Sequence, residues 1–131
     1  MGVMRTLLVS LCLVTATSWA AGDPYEEAAE AAMQGDHVLM QQRYERILAS
    51  NPDDVRALNG KATAQAWRGN YFAAIETFQK ALSREPENTE SLVGIGYAFS
   101  WAGDHAYAVD SFEKALEAEP GHLGARKGLA Y

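Results

Sequence analysis

Cysteine is all but missing from this 131-residue chain: Cys12 is the only one, and it lies in an apolar N-terminal stretch. Beyond that stretch, disulfide staples, thiolate metal sites and cysteine nucleophiles are excluded. Long apolar runs are missing too. The run from Thr6 to Thr17 falls well short of the roughly 20 residues a membrane-spanning helix needs. Positive charge is scarce, with 11 Lys and Arg against 17 Asp and Glu and a formal net charge of −6. That balance argues against nucleic acid and anionic membrane surfaces as partners. No Ser/Gly/Pro-rich linker and no charge block interrupts the chain. It therefore reads as one domain behind an N-terminal segment.

That segment has the layout of a secretory signal. Arg5 supplies the positive start, Thr6 to Thr17 the apolar centre, and Ser18-Trp19-Ala20 small residues at −3 and −1. Cleavage is expected after Ala20, which makes residues 1–20 a signal peptide and the product periplasmic or secreted. A retained anchor and lipidation at Cys12 are the competing readings; Leu11 stands where lipidation needs a small residue. The remainder, 21–131, carries 10 Lys and Arg against 17 Asp and Glu, a net charge of −7.

What is present is a period of 34. Pro52, Pro86 and Pro120 keep that interval, as do Gly60, Gly94 and Gly128. Ala74/Phe78 recurs as Ala108/Phe112, and Gly69-Asn70 as Gly103-Asp104. The same phase fits Gly35-Asp36 and Met40/Tyr44 upstream. A fixed period of this length signals a stacked array in which each unit covers its neighbour's apolar face. Inside a unit the apolar residues step by three and four, as in Leu92, Ile95, Gly96 and Phe99 and then Ala108, Phe112, Ala115 and Leu116. That spacing marks two amphipathic helices per unit. Asp23-Pro24-Tyr25-Glu26 reads as a helix start, and Asp53/Asp54 and Asn88/Thr89 as later caps. Gly35, Gly69 and Gly103 end the first helices, Asp36, Asn70 and Asp104 cap the second, and the three prolines stop them. Helices are expected near 24–34, 37–50, 54–68, 71–84, 88–102 and 105–118, with a stub from about 122.

The pattern Leu92-x-x-Ile95-Gly96-x-x-Phe99, Ala108-x-x-x-Phe112, Pro120 resembles the tetratricopeptide repeat, which has that signature and length. The resemblance implies an all-α solenoid with units 21–54, 55–88 and 89–122 and a partial unit 123–131. Unit one departs at Met40 and Ile47, where alanines are usual; Lys61 and Gln65 stand at normally apolar positions of unit two. It further implies a concave face lined by the first helices. Tyr25, Ala29 and Met33 would line it in unit one, and Arg56, Asn59, Thr63 and Trp67 in unit two. Glu90, Val93, Tyr97 and Trp101 follow in unit three, and Lys127 sits at the open end. Trp67 and Trp101, one period apart, either grip a ligand or fill the seam between units.

The mid-helix glycines each cost about 1 kcal/mol relative to alanine, so something is expected to approach the backbone there: a neighbouring helix, or else a ligand. Metal chemistry is not expected. His37 and His105 lie two units apart, and His122 has no ligand-spaced acid in its own turn. No phosphate loop or nucleophile elbow appears, and Ser100, Asp104 and His105 make a poor catalytic group. No cofactor is expected. Chaperone-binding members of the family grip a C-terminal carboxylate with cations, whereas Tyr25, Ala29, Gly60, Glu90 and Gly94 occupy the clamp positions here.

The reading is therefore an exported, non-enzymatic interaction scaffold that takes a protein or peptide on its concave face. The alternative is the periplasmic portion of a polysaccharide-export or outer-membrane barrel protein, contacting glycan through Trp67, Tyr97 and Trp101. It rests on Trp-x-Gly ends similar to units of bacterial envelope proteins. Residues 123–131 read as the start of a unit and not as a polar cap, leaving Val109, Phe112 and Leu116 partly covered. Self-association through this end, a fragment, or a sufficient stub would each account for that.

Overall fold

The computed structural model describes residues 22–130. The expected signal peptide, 1–20, lies outside the described residues. Among the described residues seven helices follow one another: α1 (Pro24–Met33), α2 (His37–Ser50), α3 (Val55–Trp67), α4 (Tyr71–Arg84), α5 (Thr89–Ala102), α6 (His105–Ala118) and α7 (Leu123–Leu129). The first six begin and end within one residue of the positions expected from the sequence, and the last begins within one residue of the expected stub. Consecutive helices pack as antiparallel pairs, and α3 also meets α5, as α5 meets α7. The second helices of successive units lack such packing, so α3, α5 and α7 form an inner layer, which α1 joins through Tyr25, bonded to Asp54 and under Arg56. No helix among the described residues is long and apolar enough to cross a membrane.

The turns inside units share one backbone design. The amide of Asp36 donates to the Ala31 carbonyl, Asn70 to Gln65 and Asp104 to Phe99, while Gly35, Gly69 and Gly103 donate to Ala32, Ala66 and Ser100. These paired bonds make a Schellman closure, which requires a left-handed residue at the glycine; φ is 74°, 82° and 91° at the three. Because the backbone closes the turn, a side-chain cap is dispensable there. Asp36 still accepts from the Leu39 amide at 2.9 Å, but Asn70 and Asp104 make no capping bond, contrary to expectation. First helices do depend on caps. Asp23, Asp54, Asn88 and the His122 imidazole accept from Tyr25, Ala57, Ser91 and Ala125 amides. Asp53 instead pairs with Arg84 at 2.7 Å.

Between units, an aromatic ring is laid on a glycine. A β-carbon at Gly60 would stand 2.3 Å from the Tyr44 ring, at Gly94 2.4 Å from Phe78, and at Gly128 2.4 Å from Phe112. The repeated glycine thus admits the ring of the preceding second helix, not a ligand. Phe78 and Phe112 are buried as a result. Phe112 is therefore better covered than the short α7 suggested, although Val109 remains 43% exposed. Ala62, Ala66, Ile75, Phe78, Ile95 and Ala98 make one cluster across units two and three. Leu92, Ala108, Phe112, Ala115 and Ala125 extend it towards α7. Unit one contributes a smaller cluster, Ala31, Met40 and Ala64.

Gly94→Ala tests this packing. The gain of about 1 kcal/mol in helix propensity is outweighed by an overpacking cost of about 1–3 kcal/mol against a ring that has nowhere to move. Urea unfolding should show a net loss, with a larger one for Gly60→Leu. Gly121→Ala, which meets nothing within 4 Å, should stay within about 0.5 kcal/mol of the parent.

Candidate binding groove

The inner layer divides into groups that hold the array together and groups left free. Asn59 belongs to the first. Only 1% exposed, it accepts from the Ser91 hydroxyl at 2.6 Å and donates to the Asn88 side chain at 3.3 Å. Expected as a lining residue, it is a buried strut between α3 and the cap of α5. Its equivalent in unit one is Tyr25, whose hydroxyl donates to Asp54, the cap of α3. In unit three that position is Val93, which packs partly buried against the α5–α7 core. Tyr97 takes over the tie, donating to the Gly124 carbonyl at 2.9 Å while its ring meets Phe112 edge-on at 5.0 Å. Thr63 donates to its own helix, to the Asn59 carbonyl at 2.8 Å.

Free surface lies at the ends of the first helices. Arg56 is exposed, its guanidinium 4.1 Å from the Tyr25 ring centroid, a cation–π contact across the first seam. Lys127 is exposed on α7 and has no carboxylate within ion-pair distance among the described residues. Trp67 and Trp101 are 48% and 49% exposed. Each is braced by the first residue of the preceding unit's second helix: Trp67 by His37, with centroids 5.1 Å apart, and Trp101 by Tyr71 at 6.1 Å. Tyr97 flanks Trp101 on its own helix at 5.7 Å. The tryptophans thus occupy the seam and the open surface together. Met33, their counterpart in unit one, is 89% exposed.

Sequence reasoning missed exposed apolar side chains on the second helices. Phe72 is 78% exposed beside Tyr71, with Val38 one unit earlier. Their spacing to Val38 and Ala106 by the same period was the available signal. Open depressions elsewhere follow the proline loops: one of about 280 Å³ is lined by residues including Pro52, Leu58 and Lys80, and one of about 380 Å³ by Pro86, Leu92 and Lys114. Neither includes a groove aromatic. Among the described residues no group of His, Cys, Asp and Glu is placed to hold a metal. His122 does have an acid near it, Glu119 at 3.9 Å across the loop before α7.

A profile of the tetratricopeptide repeat matches residues 41–89 and again 68–122. The chain belongs to the tetratricopeptide repeat family. Solved structures agree on the fold. The first repeat domain of human RPAP3 superposes with a TM-score of 0.79 at 19% identity, covering 82% of this chain and 84% of that one. The second, solved in complex with the HSP70 peptide SGPTIEEVD, gives 0.76 at 20% identity, over 82% and 89%. A Thermobaculum terrenum O-GlcNAc transferase mutant gives 0.77 at 25% identity, covering 81% of this chain but 20% of that one. No curated protein sequence matches.

Within this repeat array the struts and the free tryptophans should separate by experiment. Asn59→Ala removes two bonds across the seam, while Ser91 and Asn88 keep the bonds they make to each other; at about 0.5–1.5 kcal/mol per bond, chemical denaturation should show a loss of about 1–3 kcal/mol. Tyr25 reports on the first seam through pH. Its hydroxyl is pushed up from 10.0 to about 12, first by the hydrogen bond to Asp54, then by burial and the Asp54 charge. A phenol that ionises later when folded contributes fully below pH 10 and loses its contribution as pH rises through about 12. Stability of the parent minus that of Tyr25→Phe, followed by circular dichroism, should fall across that window.

Proposed function

We propose that this chain is an exported, non-catalytic scaffold that binds a protein or peptide segment along its inner layer, with Trp67 and Trp101 as anchors. The observation that carries this reading is the state of those two side chains. Each is held from behind by an aromatic of the preceding unit, yet half its surface is free. A large apolar side chain already fixed in place loses little conformational freedom when a partner covers it, and tryptophan is enriched among residues that dominate binding energy. The RPAP3 domain solved with an HSP70 peptide supports a peptide as the ligand class. The manner of binding differs here. Gly60 and Gly94 are covered by rings and Glu90 is an acid, so side chains of the partner, not a terminal carboxylate, are what this surface recognises. Export rests on the N-terminal segment, and the partner is then periplasmic or extracellular.

A second reading is favoured by one feature: Trp101 stands between Tyr71 and Tyr97, an aromatic cluster suited to sugar faces as well as to side chains. On that reading the array is the periplasmic part of a polysaccharide-export or outer-membrane barrel protein.

Titrating the processed chain with a periplasmic peptide library and with neutral oligosaccharides, followed by tryptophan emission, distinguishes the two. Trp67→Ala and Trp101→Ala should each weaken peptide binding at least about ten-fold while circular dichroism shows the helical array still folded at the assay temperature. Response to oligosaccharide alone would select the second reading, and binding unaffected by both substitutions would remove the groove. N-terminal sequencing of the protein from a periplasmic fraction should begin at Ala21.

A further inference from the structure

The two seams of the array are built from different chemistry. Between units two and three, Ile75 of α4 meets Ile95 and Ala98 of α5 in the apolar cluster. One period earlier, the residue equivalent to Ile75 is Gln41, and that equivalent to Ile95 is Lys61. Here Gln41 accepts from the Arg68 guanidinium at 2.6 Å and donates to Glu45 at 2.8 Å, and Glu45 pairs with Lys61 at 3.6 Å. Further polar ties cross this seam, Tyr25 to Asp54 and Arg56 over Tyr25, and its apolar part is the Tyr44 ring on Gly60 with the small cluster of Ala31, Met40 and Ala64. Met40 is the one buried residue of α2, against four in α4 and four in α6. Even the brace under Trp67 is imperfect, because the buried Nδ1 of His37 has no hydrogen-bond partner.

We propose that the first seam is a salt-sensitive hinge, so that α1 and α2 open as a body from a firmer block formed by α3 to α6. In a repeat array, stability is the sum of unit and interface terms, and a unit opens at its weakest interface. Burial of apolar surface does not respond to screening by salt; exposed ion pairs and charged hydrogen bonds do. Lys61 and Glu45 side chains are 28% and 42% exposed, so salt reaches this seam and leaves the next one unaffected. Opening would part His37 from Trp67 while the pair Tyr71 and Trp101 stays assembled. This inference stands whether the groove takes peptide, glycan or neither.

Hydrogen exchange of the whole processed chain by mass spectrometry, at about 20 mM and about 1 M sodium chloride, tests it. The expected result is that amides of α1 and α2 exchange at least about ten-fold faster than those of α4 and α5. High salt should then speed the former about two- to five-fold, in line with exposed ion pairs, without altering the latter. Gln41→Ile with Lys61→Ile copies the second seam at these positions and should sharply reduce the salt effect and narrow the gap. Glu45→Gln removes only a charge; it should raise exchange in α1 and α2 and reduce its response to salt. End fraying of a terminal unit would give fast but salt-insensitive exchange. That result, or uniform protection from α1 to α6, overturns the proposal.

Discussion

Everything in this array depends on a ring resting on a bare backbone. Tyr44, Phe78 and Phe112 each project from a second helix onto the glycine of the next first helix, where a methyl group would intrude to within 2.4 Å. The contact sets how closely successive units approach, and with it the direct meeting of α3 with α5 and α5 with α7. A helix gives up about 1 kcal/mol of propensity at each such glycine, and burial of an aromatic ring more than offsets it. The same residue pair in every unit makes the step between units uniform, which is why features one period apart occupy the same place along the stack.

That uniformity explains how much of the molecule was legible beforehand. Helix limits follow from glycine turns, prolines and three-four spacing, all local signals, and they came out within one residue. The role of Gly60, Gly94 and Gly128 was legible as well, because a repeated cost implies a repeated contact. The groove was less so. Asn59 sits at a lining position of the family pattern, but the pattern carries no information that Ser91 and Asn88 stand ready to bond it. Tyr97 was read as a free aromatic, while its hydroxyl is committed to Gly124. Pair contacts across a seam depend on two residues about 30 positions apart, and a single-position reading cannot see them. Asn70 and Asp104 fail as caps for a related reason: the Schellman bonds had already closed the turn.

Lys61 and Gln65 looked like local flaws in the sequence, and the structure gives each a partner. Gln65 accepts from the Thr77 hydroxyl at 2.7 Å inside unit two, which keeps a polar group satisfied within the unit, as burial requires. Lys61 reaches outward to Glu45 across the seam. The two departures therefore have opposite consequences. The first preserves the cohesion of unit two, while the second exchanges apolar contact for a screenable pair at the boundary of unit one.

The candidate anchors inherit this asymmetry. Trp67 is positioned by His37 across the polar seam, Trp101 by Tyr71 across the apolar one and by Tyr97 on its own helix. A side chain is only as fixed as the unit that braces it. On the proposed reading Trp101 is the preorganised anchor, and Trp67 the one whose setting depends on unit one being closed. Ligand contact spanning His37 and Trp67 would favour the closed form by mass action. Contact confined to Trp101 would leave the first seam as it was.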